Sequence, residues 1–134
     1  MDAARALADL TEISSQIEAA VLFAEDGAVL GSTLASEDVS ERLVRGALEL
    51  LEGGAAFRSE PGQVTQLEAS TPDGSVFVVR DDGRAIVATT APQPTVGLVF
   101  YDLKSCLRSA EPPKPKRRRS AAKKEQQEEA GDAA

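Results

Sequence analysis

The stretch SEDVSERLVRGALELLEGGAAF, residues 36–57, is the longest uninterrupted helical pattern in the chain and lies between two strand-rich regions. Ser36 can accept a backbone N–H bond at the first turn, and Glu37 and Asp38 place negative charge at the positive end of the helix dipole. At about 100° per residue, Val39, Leu43, Val44, Ala47, Leu48, Leu50, Leu51 and Ala55 spread over half the circumference, with Arg42, Arg45, Glu49 and Glu52 on the rest. That apolar arc is wider than one sheet face needs. Gly46 and Gly53, two turns apart at one margin, each cost about 1 kcal/mol relative to Ala in a helix interior. Two readings stay open. Aligned glycines admit another backbone, such as a second subunit's, or the helix lies deep in its own fold and Gly53-Gly54 is a fraying end.

Upstream of this stretch, Ala3, Leu7, Leu10, Ile13 and Ile17 recur at three- and four-residue steps, which predicts a one-sided helix from Asp2, its cap, to Ile17. The apolar run Ala19–Ala24 has strand length, and Glu25-Asp26-Gly27 separates it from Ala28–Leu34; an Asp-Gly pair between two such runs is a strong hairpin signal. Ala19–Ala24 lacks polar alternation, so it reads as a central strand covered on both faces. Downstream, Glu60-Pro61-Gly62 breaks the chain, and Gln63–Thr71 has strand propensity but weak apolar content, as an edge strand does. Pro72-Asp73-Gly74 leads into Ser75–Arg80, and Asp81-Asp82-Gly83 into Arg84–Thr90, a three-stranded meander. Pro92 and Pro94 close it, Thr95 can cap, and Val96, Val99, Phe100, Leu103, Cys106 and Leu107 mark a last helix ending near Ser109. The expected order is α-β-β-α-β-β-β-α.

Composition narrows the function classes. Of the 134 residues none is His, Trp or Asn, and one is Cys. Without histidine there is no Ser-His or Cys-His catalysis and little zinc chemistry, and a single Cys106 allows no intrachain disulfide. The start MDAARALADL shows no basic region followed by an apolar run, and no apolar window has membrane-spanning length, so a cytoplasmic setting without membrane insertion is the expectation. The net charge of −7 divides unevenly: residues 1–109 carry 8 basic and 17 acidic side chains (−9), residues 110–134 carry 7 and 5 (+2). An acidic domain of 1–109 does not read as a nucleic-acid binder.

Residues 110–134 contain no apolar side chain larger than alanine, so they are expected to be a disordered, basic-then-acidic tail. Lys114, Lys116, Arg117, Arg118, Arg119, Lys123 and Lys124 suit a weak anionic partner: a membrane surface, nucleic acid or an acidic protein. The plainer alternative is a solvated tail that also folds back on the acidic body. Arg117-Arg118-Arg119-Ser120 would suit a basic-directed kinase, a common chance match. The turn acids Asp26, Asp73, Asp81 and Asp82 sit where hairpins demand them, not as a metal set. Gly27-x-x-x-Gly31-Ser32-Thr33 lacks the lysine of a phosphate loop, and Cys106 is spaced as a buried face residue. No catalytic constellation, metal site or cofactor site emerges.

Taken together, the first helix, the strand–Asp26-Gly27–strand hairpin, the glycine-dotted second helix and the meander resemble the roadblock/dynein light chain family over residues 3–109. The ending Pro94–Leu103 is similar to the last helix of small actinobacterial members. The resemblance implies an α+β fold, a five-stranded antiparallel sheet with the second helix on one face and the other two on the opposite face, as in roadblock and profilin-like domains. It also implies a homodimer in which third strands pair edge to edge over Val64–Thr71, including Val64, Gln66 and Glu68, while Val39, Leu43, Gly46, Ala47, Leu50 and Gly53 form a helix seam. Family members are typically non-enzymatic regulators or scaffolds of small Ras-like GTPases, so Arg42, Arg45, Glu49 and Glu52 become candidate partner contacts, with salt-bridged solvation as their plainer role. The tail has no counterpart in the resemblance.

Overall fold

The computed structural model describes residues 1–57 and 64–110. Three helices and five strands follow in the expected order: α1 (Ala3–Ile13), β1 (Ile17–Ala24), β2 (Val29–Ser32), α2 (Glu37–Gly54), β3 (Gln66–Thr71), β4 (Gly74–Asp81), β5 (Arg84–Thr90) and α3 (Val96–Ser109). A short 3-10 turn, Ala55–Phe57, follows α2. The strands form one antiparallel sheet in the order β2-β1-β5-β4-β3. The α+β class with helices on both faces is therefore the observed architecture.

Alternation along the strands builds the two cores, because successive side chains leave opposite faces of a pleated strand. Ala20, Leu22, Phe77, Val79, Ile86 and Ala88 face α1 and α3, packing with Leu7, Leu10, Leu103 and Leu107. Val21, Phe23, Val78, Ala85 and Val87 face α2, packing with Val44, Ala47 and Leu51. β1 is covered on both faces, as its unbroken apolar run implied. Phe77 and Phe100 meet edge to face, with ring centroids 5.1 Å apart.

Local chemistry sets most element ends. The Asp2 carboxylate accepts the Arg5 N–H at 2.8 Å, and the Ser36 hydroxyl accepts that of Val39 at 3.2 Å. Asp82 and Gly83 both adopt positive φ, 56° and 81°, the paired left-handed conformation of a tight hairpin turn.

Four expectations are corrected. α1 stops at Ile13, not Ile17. Ser14 turns to extended backbone while its N–H still closes onto the Leu10 carbonyl, its hydroxyl accepts from the Gln16 N–H, and Ile17 starts β1, buried on the sheet. Thr95 occupies the N-cap position of α3 but makes no side-chain cap bond; its N–H instead donates to the Gln16 side-chain oxygen at 2.6 Å. β2 is shorter than Ala28–Leu34, with the Ala28 carbonyl accepting from Ala24 N–H and the Ser32 hydroxyl accepting from Leu34 N–H. β3 begins at Gln66, and Val64 precedes it.

Candidate interaction surface on α2 and β3

The inner face of α2 is defined by Ser40, Val44, Ala47 and Leu51, all buried. Ala47, assigned to the dimer seam from sequence, thus points at its own sheet and is not part of an outer surface. The other seam residues turn outward. Val39 is 41% exposed, Leu43, Gly46 and Leu50 are half-buried, and Gly53 is exposed. Their spacing, four, three, four and three residues, is that of a coiled-coil seam, which keeps one stripe pointed at a neighbouring helix.

The glycines in that stripe have open space beside them. A Cβ built at Gly46 or Gly53 meets nothing within 4 Å. Among the described residues no neighbour requires either glycine. Gly54 differs: its Cβ would lie 3.2 Å from Val64 Cγ2, and it marks where the end of α2 comes close to the approach to β3.

The stripe runs into the open edge of the sheet. Leu43 and Leu50, together with Val64, Leu67 and Val76, pack against the margin of the α2-side core. Among the described residues β3 pairs with β4 on one side only, so the backbone N–H and C=O groups of its other side have no strand partner there. An edge strand without lysine or proline inside it is a template for a further strand. Pairing Glu68 with Phe77 and Gln66 with Val79 places the Gln66 and Glu68 side chains on the α1–α3 face. Leu67 and Ala69 share the α2 face instead. Leu67 lies within the Val64–Thr71 edge but was not singled out from sequence, because the two-residue alternation within QLEAST was too brief to assign a face.

Arg42, Arg45, Glu49 and Glu52 are all exposed on α2. None forms an ion pair with another described residue, so the surface is charged without internal pairing. The tail cations Lys114, Lys116, Arg117, Arg118, Arg119, Lys123 and Lys124 lie outside the described residues.

The sites that could host chemistry offer little of it. A cavity of about 630 Å³ lies between α2 and β2, rimmed by Asp26, Glu37, Glu41 and Arg45. Its Ser32 and Ser40 hydroxyls bond each other at 2.7 Å, which satisfies them mutually. Cys106 is buried, its thiol donates to the Ala6 carbonyl at 3.5 Å, and burial, aided by the Asp9 carboxylate, pushes it up to about 11. That is the opposite of a reactive thiolate. Among the described residues no cluster of three potential metal ligands occurs, and no helix is long and apolar enough to cross a membrane.

No family model and no curated protein matches the chain. Solved structures do. A Roadblock/LC7 domain from Streptomyces avermitilis superposes with a TM-score of 0.72 at 18% identity, covering 81% of this chain and 94% of that one. MglB of Myxococcus xanthus gives 0.57 at 15% identity over 78% and 77%. LokiProfilin1, solved in complex with rabbit actin, gives 0.56 at 12% identity over 78% and 90%. At these identities the likeness is one of architecture, and it agrees with the resemblance carried by the sequence motifs: the chain has the roadblock/LC7 fold.

Proposed function

We propose that this protein is a non-enzymatic, homodimeric regulator or scaffold for a small Ras-like GTPase or a related signalling partner. The observation that carries the reading is the outward stripe Val39, Leu43, Gly46, Leu50 and Gly53 lying beside the unpaired edge of β3. A two-fold axis beside β3 would pair that edge with its copy and bring the two stripes together, and such a self-complementary patch is what a closed dimer requires. The roadblock fold supports the assignment, as do the MglB structures from Myxococcus xanthus and Thermus thermophilus among its likenesses. With no histidine in the chain and a thiol held protonated, the domain would act by binding. It would bias the partner's switch conformations through differential affinity, and the unpaired charges of Arg42, Arg45, Glu49 and Glu52 would supply the contact.

Binding of the protein to a GTPase encoded beside it, measured in both nucleotide states, tests the partner, together with GTP turnover in its presence and absence. Binding that differs between the two states is expected. No binding in either state rules the reading out.

A further inference from the structure

Away from the α2 surface, a cleft of about 250 Å³ runs between α1 and α3, walled by Ala6, Leu10, Ile13 and Tyr101. Asp102 lines it and is only 8% exposed. Among the described residues this carboxylate has no hydrogen-bond or ion-pair partner, although a buried anion is costly unless something pairs with it. Asp9 lines the same cleft, its carboxylate 3.6 Å from Arg5 on the exposed side of α1. The cleft opens at Ser109, whose carbonyl accepts from the N-terminal ammonium of Met1. Tyr101 and Ile13 at the mouth are 65% and 72% exposed. One buried acid, Asp102, and a second, partly exposed one, Asp9, line a mostly apolar slot with an aromatic ring at its rim, which forms a receptor for an alkylammonium or guanidinium group: the stem lies on apolar surface and the charge meets the Asp102 carboxylate.

We propose that the α1–α3 cleft receives a cationic side chain from this chain's own segment Lys114–Arg119, with Asp102 as its counter-ion. Reach and charge favour that occupant. Asp102 lies eight residues before Ala110, about 12 Å back along α3 at 1.5 Å per residue. Lys114 lies four residues after Ala110, and four extended residues span about 13 Å, before the side chain adds its own length. The segment carries Lys114, Lys116, Arg117, Arg118 and Arg119 with no acid among them, against a domain of net charge −9. Docking there would cover Tyr101 and Ile13 and leave α2 and β3 free, so it is independent of the proposed dimer.

The chain contains one tyrosine and no tryptophan, so acrylamide quenching of its fluorescence reports on Tyr101 alone. In the full chain, the combined variant Lys114→Gln/Lys116→Gln/Arg117→Gln is expected to raise the quenching constant. Asp102→Asn should raise it as well, and joining the two should add nothing further, because both break one contact. If Asp102→Asn does not fold, Asp9→Asn weakens the same receptor and takes its place. Quenching that ignores the tail substitutions, or effects that simply add, overturns the proposal. A response to Asp102→Asn without one to the tail would mean that another cation fills the cleft, and a response that fades on dilution would mean that the tail comes from a second copy; either result rejects the assignment.

Discussion

Replacing Gly46 with Leu separates the two roles that the α2 glycines could have. Among the described residues of one chain a Cβ at this position meets nothing within 4 Å, so a side chain can leave the backbone there without a clash. Removing a helix-interior glycine should then stabilise the isolated subunit by about 0.5–1 kcal/mol. In a dimer with the α2 stripes apposed, the same side chain enters a packed seam, where overpacking costs about 1–3 kcal/mol per site. Two-fold symmetry doubles this to about 2–6 kcal/mol, weakening association by roughly 30-fold or more. The signs are opposite, which makes the variant informative. Sedimentation equilibrium should show a shift toward monomer, while urea unfolding at dilute concentration, where little dimer contributes, should show an equal or higher midpoint. An unchanged mass would refute an α2 seam. A monomer of markedly reduced stability would show that the glycine serves the chain's own packing.

Three further outcomes test the domain itself. Gly31 is the converse of Gly46: its Cβ would lie 3.1 Å from both Ala3 Cβ and Leu7 Cδ1, so Gly31→Ala requires α1 to give by a few tenths of an ångström and should lower stability by about 1 kcal/mol in urea unfolding, the low end of overpacking costs; an equal or higher midpoint would show that α1 yields freely. The two helix starts should differ, with Ser36→Ala costing about 1 kcal/mol because its hydroxyl caps Val39, and Thr95→Ala only a few tenths because it caps nothing; equal losses would contradict the cap assignment. Burial raises the Cys106 thiol from 9.0 to about 11, so between those values the unfolded chain loses its proton while the folded chain keeps it. Stability from this group should be complete below pH 9 and fall by up to about 3 kcal/mol as pH rises to 11. Thiolate absorbance titrating near 9 in the native protein would refute it.

Much of this protein was legible in its sequence because the decisive signals are local. Alternation, Asp-Gly turns and the caps at Asp2 and Ser36 act over a few residues, so element order and the covered state of β1 could be read directly. The Ser14–Ile17 segment shows the limit: helical periodicity includes Ile17, yet its burial on the sheet prevails over one more helical turn. The sequence likewise places Ala47, Gly46 and Leu50 on one broad arc. Which of them faces inward depends on how α2 is rotated over Val21, Phe23 and Val87, and that rotation buries Ala47 and leaves Gly46 with empty space.

The case of Asp102 is sharper. It falls three residues after Val99 and four before Cys106, on the inward side of α3, so its position was readable from the helical period. Its burial without an ion-pair partner among the described residues was not, since that depends on α1, some 90 residues earlier in the chain, closing over α3 while the Met1 ammonium goes to the Ser109 carbonyl. Periodicity along the chain thus determined what this domain is built from and the order of its elements. Tertiary packing alone decided which polar and apolar groups were left without partners, because an unmet group is defined by what other segments fail to bring to it. Those groups, the α2 stripe, the β3 edge and Asp102, are where its function is proposed to lie.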